Sequence, residues 1–466
     1  MTKPKRFFAI YILLALSGLA AFLYMLQQGS QLFPNESFSL PASAAVHSLL
    51  PRLLVALAII MLVTKTAGYL IQLVKQPPVI GEVLGGILLG PTVFGKLLPE
   101  LQATVFPKIL NPSIDALAQI GIILFMFVIG IEFDTRKLKN KVGSSLVISH
   151  ASIFVPLFLG VMISFYIFPL FAPASVPFPL FALFIGVSMS VTAFPVLARI
   201  IKDLGIQNSP MAVITMGCAA LDDVAAWCLL ALITCVAGKD LSLAWQMLAL
   251  SLAFAACMLI FVRPLLAKIV AHVEDQGFKI ESFTAIIFML LLAALATEAI
   301  GIHALFGAFF LGVLIPTEST LAQKLHLRLE TLTTTLFLPL FFVYSGLKTD
   351  LSLLTEGSAL ALTVLVTVVA IVGKVGASGL SAYFTGIHAR DSLALGILMN
   401  TRGLVELVVL NLGLELGLLS PLLFSVFVVM TLVTTLMTTP LFLLITKQKP
   451  WLESKKAARD SEGSLA

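Results

Sequence analysis

Apolar runs of about 20 residues, the length that crosses a hydrocarbon bilayer, recur along almost the whole chain. They fall at roughly 7–27, 49–74, 78–95, 114–133, 144–168, 178–203, 210–238, 243–272, 281–300, 303–316, 329–347, 357–383, 391–415 and 420–446. Inside lipid every backbone N–H and C=O must be satisfied internally, so runs of this length are predicted to be helices. The expectation is an all-α polytopic membrane protein with about 13–14 transmembrane helices, the run at 303–316 being short for a full span. Composition agrees: 59% of the 466 residues are hydrophobic and 11% charged, against about 25% charged in a soluble domain.

The division that follows is an extra N-terminal helix and external linker over 1–48, a membrane domain over 49–446, and a short polar tail over 447–466. The first run is read as a retained helix. A cleaved signal peptide is the alternative, since a basic start and small residues from Ser17 to Ala21 fit that pattern. Short loops on the inner side of a membrane are enriched in Lys and Arg. Lys3, Lys5 and Arg6 put the N-terminus inside, and alternation then puts inside Arg136, Lys137, Lys139 and Lys141, Arg199 and Lys202, Lys268 and Lys279, Lys324 and Arg328, and the tail from Lys447 to Arg459. Both termini are therefore expected in the cytoplasm, in a bacterial-type cell membrane.

Two stretches repeat. Gly85-Gly86-Ile87-Leu88-Leu89-Gly90-Pro91 is matched by Gly307-Ala308-Phe309-Phe310-Leu311-Gly312, closed by Pro316. Each is followed by a second word: Leu124 to Gly130 with Asp134, and Leu340 to Gly346 with Asp350. The first set starts inside and the second outside. Similar halves of opposite orientation, here about 49–238 and 281–446, form an inverted repeat, which in secondary transporters places the site where broken helices meet near the midplane. Breaks are predicted at corresponding places. Pro195 disfavours helix at Phe194, just after Thr192, and Asn400-Thr401-Arg402-Gly403 interrupts the run from 391 to 415.

Chemistry is concentrated in a few intramembrane charges, which are costly in lipid and so are functional candidates. Asp222 and Asp223 lie mid-span in the run from 210 to 238. Successive helical residues point about 100° apart, so one carboxylate can face a cavity while the other meets a partner. Asp223 is read as the carrier: a hard oxygen ligand that holds either a sodium or potassium ion or a proton, never both. A cap on a helix break is the alternative. Asp222 is read as facing Lys374, which otherwise snorkels to an interface. Arg402 and Glu406, spaced i, i+4, can pair on one helix face, and Glu82 can neutralise Arg402; these three are read as a structural charge cluster. His303, near a helix end, is either a pH sensor, since imidazole titrates near 6.5, or an interfacial residue without a role.

At these residues the chain resembles the monovalent cation/proton antiporter superfamily, in the branch with NapA-type sodium/proton exchangers and plant CHX-type cation/proton exchangers. The matching words are Pro78 to Leu84, Val191 to Arg199, Asp222 to Trp227, Ser345 to Thr349, Gly373 to Gly376 and Asn400 to Leu407. The resemblance implies an inverted-repeat antiporter fold with two crossed discontinuous helices, working as a homodimer whose mobile core moves like an elevator. It implies Asp223 as the ion and proton site, Asp222 as the partner of Lys374, and Thr192 at the helix crossing. CHX-type relatives tend to carry Asn-Asp at the acidic pair and Lys in place of Arg402. The double Asp with Lys374 looks like the electrogenic, sodium-preferring exchangers, whereas the flanking words look CHX-like, where potassium is common.

Other classes fit poorly. The net charge of +5 lies mostly in short loops and the tail, which is not a nucleic-acid signature. Cys218, Cys228, Cys235 and Cys257 all lie in apolar runs and read as small buried residues. No phosphate-binding glycine loop accompanies the helices, so no cofactor and no enzymatic turnover are expected. An intramembrane aspartyl protease needs two facing carboxylates, and neighbours on one helix diverge. A potassium efflux transporter regulated by a separate cytosolic subunit is the alternative function, since the tail is too short for a nucleotide-binding domain.

Overall fold

The computed structural model describes residues 49–446, except Lys75, Asp134, Thr135, 137–141, Asn208, 238–240 and Glu356. The expected first helix, the tail and Asp134 of the repeat lie outside the described residues. Among these residues all regular structure is helical. Eleven helical segments are long and apolar enough to cross a membrane, twelve when the pair Ala389–Met399 and Leu404–Glu415, bent by 40°, is counted as one span. The short apolar helix Ala304–Val313 accounts for the run at 303–316.

In chain order the main helices are α1 (Leu49–Leu73), α2 (Pro78–Leu89), α3 (Asn111–Glu132), α4 (Val142–Phe171), α5 (Phe178–Ser190), α6 (Phe194–Asp203), α7 (Pro210–Ala237), α8 (Leu241–Cys257), α9 (Arg263–Gln276), α10 (Ile280–Ile300), α11 (Ala304–Val313), α12 (Thr320–Leu332), α13 (Leu338–Leu347), α14 (Gly357–Phe384), α15 (Ala389–Met399), α16 (Leu404–Glu415) and α17 (Pro421–Thr446). The span expected at 329–347 begins at Thr320 instead. Lys324, Arg328 and Glu330 in α12 masked that start by lowering the local hydropathy. The run expected at 243–272 continues to Gln276, because a π turn at Met258–Val262 delivers Pro264 to the first turn of α9, where its missing N–H is harmless.

The helices sort into two bundles. One packs α1 on α2, α3 on α11 and α13, and α10 on α11; the other packs α4 on α5, α7 and α14, and α14 on α15 and α17. Each bundle takes helices from both halves of the chain. The repeated glycines show how the halves interlock. An added Cβ at Gly90 would lie 2.4 Å from the Gly346 carbonyl oxygen, and one at Gly312 would lie 2.9 Å from the Gly130 Cα. The end of the first word in one half therefore packs on the end of the second word in the other. Helix backbones meeting this closely leave room only for glycine, the small-residue contact that membrane helices favour.

Candidate functional site

The site forms where the second bundle's two broken helices meet. The α5–α6 helix is interrupted at Val191 to Ala193, in extended backbone. The α15–α16 helix is interrupted from Asn400 to Gly403, whose φ of 155° suits glycine alone. The breaks touch: the Ala193 N–H donates to the Thr401 carbonyl at 3.0 Å, and the Thr192 hydroxyl lies 3.3 Å from the Met399 carbonyl.

A helix end leaves carbonyls without partners, and two buried cations take up those of α5. Arg402, fully buried, donates from Nη1 to the Ser188 carbonyl at 2.9 Å and from Nη2 to the Met189 carbonyl. Lys374 donates to the Ser190 carbonyl and, at 3.0 Å, to the Ser152 carbonyl. Positive charge at a helix C-terminus is favoured by the helix dipole. The opposite stub carries the opposite sign: the first backbone amide of α6, at Phe194, faces Asp223 on α7.

The two carboxylates differ in how they are held. Asp222 is saturated. Its Oδ1 accepts from Ser149 at 2.7 Å, and its Oδ2 accepts from Ser152 and Thr192, each at 2.8 Å, and from Lys374 at 2.9 Å. Asp223 is 4% exposed, and apart from the Phe194 amide that faces it, neither of its oxygens has a hydrogen-bonding partner. In its neighbourhood of breaks the buried Asn400 side chain and the Thr401 hydroxyl likewise lack partners.

Arg402 Nη1 is also 2.8 Å from Glu406 Oε2, with both side chains fully buried. Glu82 does not join this cluster. It pairs with Lys65 at 2.7 Å, a correction to the expectation that it neutralises Arg402. Glu82 on α2 lies against α1, and Lys65 in α1 reaches it from a half-exposed position, so the nearer cation takes it. Lys65 sits within an otherwise apolar run, and its i, i+17 relation to Glu82 across a helix turn gave no periodic signal. Sequence reasoning also passed over Ser149 and Ser152, two of the donors to Asp222. Ser145, Ser149 and Ser152 at helical spacing in α4 were the available sign.

Cavities open at both ends of α3. One, of about 380 Å³, is lined by Glu132 and Phe133, by Ala198 and Lys202 of α6, and by Val213 and Met216 of α7. Val213, Met216, Ala220 and Asp223 follow helical spacing along one face of α7, so the cavity wall leads toward the free carboxylate. The Phe133 ring of the cavity lining packs on Phe194 at 5.4 Å, and Phe194 on Phe309 at 5.7 Å. The other cavity, of about 70 Å³, is lined by Asp115, Tyr344, Asn411 and Glu415. Asp115 and Glu132 are separated by about 25 Å of helix at 1.5 Å per residue. His303, at positive φ, also borders this smaller cavity, with Nδ1 3.9 Å from Glu298.

Comparison with known proteins gives a consistent picture. The family described as sodium/hydrogen exchanger, transmembrane, matches residues 57–444. The chain is 39% identical to the Na(+)/H(+) antiporter NhaS4 of Synechocystis, over 84% of this chain and 97% of that one. It is 39% identical to Cation/H(+) antiporter 17 of Arabidopsis thaliana over 85% of this chain and 49% of the relative. With the K(+)/H(+) antiporter 1 of Saccharomyces cerevisiae it shares 34% identity, over 83% and 45%. It thus spans nearly all of the first and about half the length of the other two. Among solved structures, the sodium proton antiporter MjNhaP1 of Methanocaldococcus jannaschii aligns over 85% of this chain and 96% of its own with a TM-score of 0.55 at 13% identity, a likeness of fold.

Proposed function

The chain belongs to the sodium/hydrogen exchanger family, and from that premise we propose that it exchanges a monovalent cation for protons at Asp223, sodium favoured and potassium the alternative. One observation carries the reading: of two adjacent buried carboxylates, Asp222 is fully bonded and Asp223 has no side-chain donor on either oxygen. A buried ionised group without partners is costly, and two occupants relieve that cost, a proton or a bare cation. Each excludes the other by charge, so loading one requires release of the other.

The paired bundles support an elevator-type motion. The bundle holding α4–α7 and α14–α17 carries both breaks and the acidic pair, and it slides against the other to turn Asp223 toward one end cavity and then the other. The larger cavity, walled by Lys202 and followed in the chain by the cationic stretch after Glu132, is the cytoplasmic one. Thr192 positions Asp222 at the crossing rather than binding the ion directly. Arg402 and Glu406 hold the α5 terminus, Lys374 pairs with Asp222 beside the carrier, and the exchange is electrogenic. The working unit is a homodimer in the cell membrane.

The test is exchange by purified protein in proteoliposomes, with sodium, potassium and lithium across pH, with and without an imposed membrane potential. Dissipation of a pH gradient on adding cation, at a rate that the potential alters, is the expected result. No exchange with any of the three cations at any pH would overturn the reading.

A further inference from the structure

The inner cavity has a cluster at its mouth that ion exchange at Asp223 does not use. Glu132, at the end of α3, meets His326 and Glu330 of α12. His326 Nε2 lies 2.9 Å from Glu330 Oε2 and 3.5 Å from Glu132 Oε1, and one ligand atom from each of the three residues lies within 4.8 Å of the others. Tetrahedral ligands held at about 2.0–2.1 Å from a zinc ion stand about 3.3 Å apart, so two of these separations already approximate a metal's coordination edges. His326 and Glu330 are spaced i, i+4, the register that sets two ligands on one helix face. Both belong to one bundle with Glu132, through the packing of α12 on α3, so a bound ion would not need to draw separate bodies together.

A second observation shows that a cation is at home there. Lys202, from α6 of the other bundle, places its ammonium 3.4 Å from Glu132 Oε1 and 3.9 Å from Glu330 Oε1. Its side chain is 59% exposed, so it can swing into the cavity at little cost. With Lys202 displaced, two carboxylates and one imidazole remain, which matches the charge and the mixed N/O donor preference of a divalent ion of the zinc class.

We infer that Glu132, His326 and Glu330 form a binding site for a divalent transition-metal ion on the wall of the inner cavity, in competition with Lys202. Three protein ligands leave a fourth position open to cavity water, and occupation breaks the contact between α6 and α3. This site is distinct from the transported ion's, and it does not depend on which alkali cation the protein exchanges.

Titration calorimetry of the full-length protein in detergent with zinc chloride, and visible absorption with cobalt chloride, test this directly. One ion per chain with tetrahedral cobalt absorption is expected, lost in His326→Ala and in Glu330→Gln. Lys202→Gln removes the competing charge, worth about 1 kcal/mol or more at this range, and should tighten zinc binding by on the order of fivefold to tenfold. That gain cannot come from a damaged fold. Stoichiometric binding that persists in His326→Ala, absence of binding by the native chain, or unchanged or weaker binding in Lys202→Gln would each overturn the inference.

Discussion

Glu132 and Lys348 occupy the same place in the two halves of the chain with opposite charge. Each stands two residues after a repeated glycine, Gly130 or Gly346, and each is bonded to the last turn of a broken helix in the other bundle. Glu132 is 3.4 Å from Lys202 at the end of α6, and Lys348 is 2.9 Å from Glu415 at the end of α16. Among the described residues the fold therefore links the bundles by ion pairs at both ends, with the charges of the corresponding residues exchanged.

The proposed movement of one bundle against the other would strain these contacts alternately. Exposed pairs contribute about 0.2–1 kcal/mol, so Lys348→Gln should shift the balance between inner-facing and outer-facing forms by at most about fivefold. The ratio of apparent cation affinities measured from the two sides of oriented vesicles reads this shift. Exchanging the charges in the double variant Lys348→Glu with Glu415→Lys should restore the native ratio.

Lys374 is fully buried and holds Asp222 together with the Ser152 and Ser190 carbonyls. Lys374→Ala leaves a buried carboxylate without its counter-charge, a loss of about 3–5 kcal/mol. Unfolding of the detergent-solubilised variant should show a large fall in stability, and Asp222→Asn in the same chain should recover part of it. Additive effects in that double-mutant cycle would contradict the pairing.

How far the sequence alone leads is clear from these residues. The spans were legible because lipid imposes length and apolarity, and the breaks because Pro195 and Gly403 interrupt them. The charged neighbours of the site were legible where a cost in lipid demanded a partner within one helix turn, as for Arg402 with Glu406. Between remote helices, the pair of Asp222 with Lys374 was legible because two charges buried mid-span need each other; other such contacts were not. Nothing in the periodicity of α1 marked Lys65 for Glu82, and the serines of α4 look like ordinary small packing residues until α7 is laid against them. The bonding difference between Asp222 and Asp223 depends on which faces of α7 meet α4 and α6, and that is set by packing of the whole bundle.

The proposed competition at Asp223 fixes the sign of the expected pH dependence. As pH falls, protons occupy Asp223 more often and cation binding needs a higher concentration, so the apparent KM for the cation should rise, by up to about tenfold per pH unit where the proton dominates. The maximal rate at saturating cation should change less over the same interval. Initial rates of exchange measured at several cation concentrations across pH check this; a KM that stays constant while kcat alone varies would contradict competition.

Arg402 takes up two α5 carbonyls and Glu406 with one planar fork. Lysine presents a single point charge and cannot reproduce that geometry. Arg402→Lys should therefore fold with a stability reduced by about 1–3 kcal/mol, read as a lower thermal midpoint in detergent, while retaining measurable exchange.

The central claim is that the unbonded carboxylate carries the ions. Asp223→Asn keeps the shape and removes the charge, and because no side-chain donor holds that carboxylate, the variant should fold with a thermal stability close to that of the native chain. Proton flux in proteoliposomes on adding sodium or potassium is the direct measurement. The account predicts a stable Asp223→Asn protein with no cation-driven flux; flux at the native rate in that variant would contradict it.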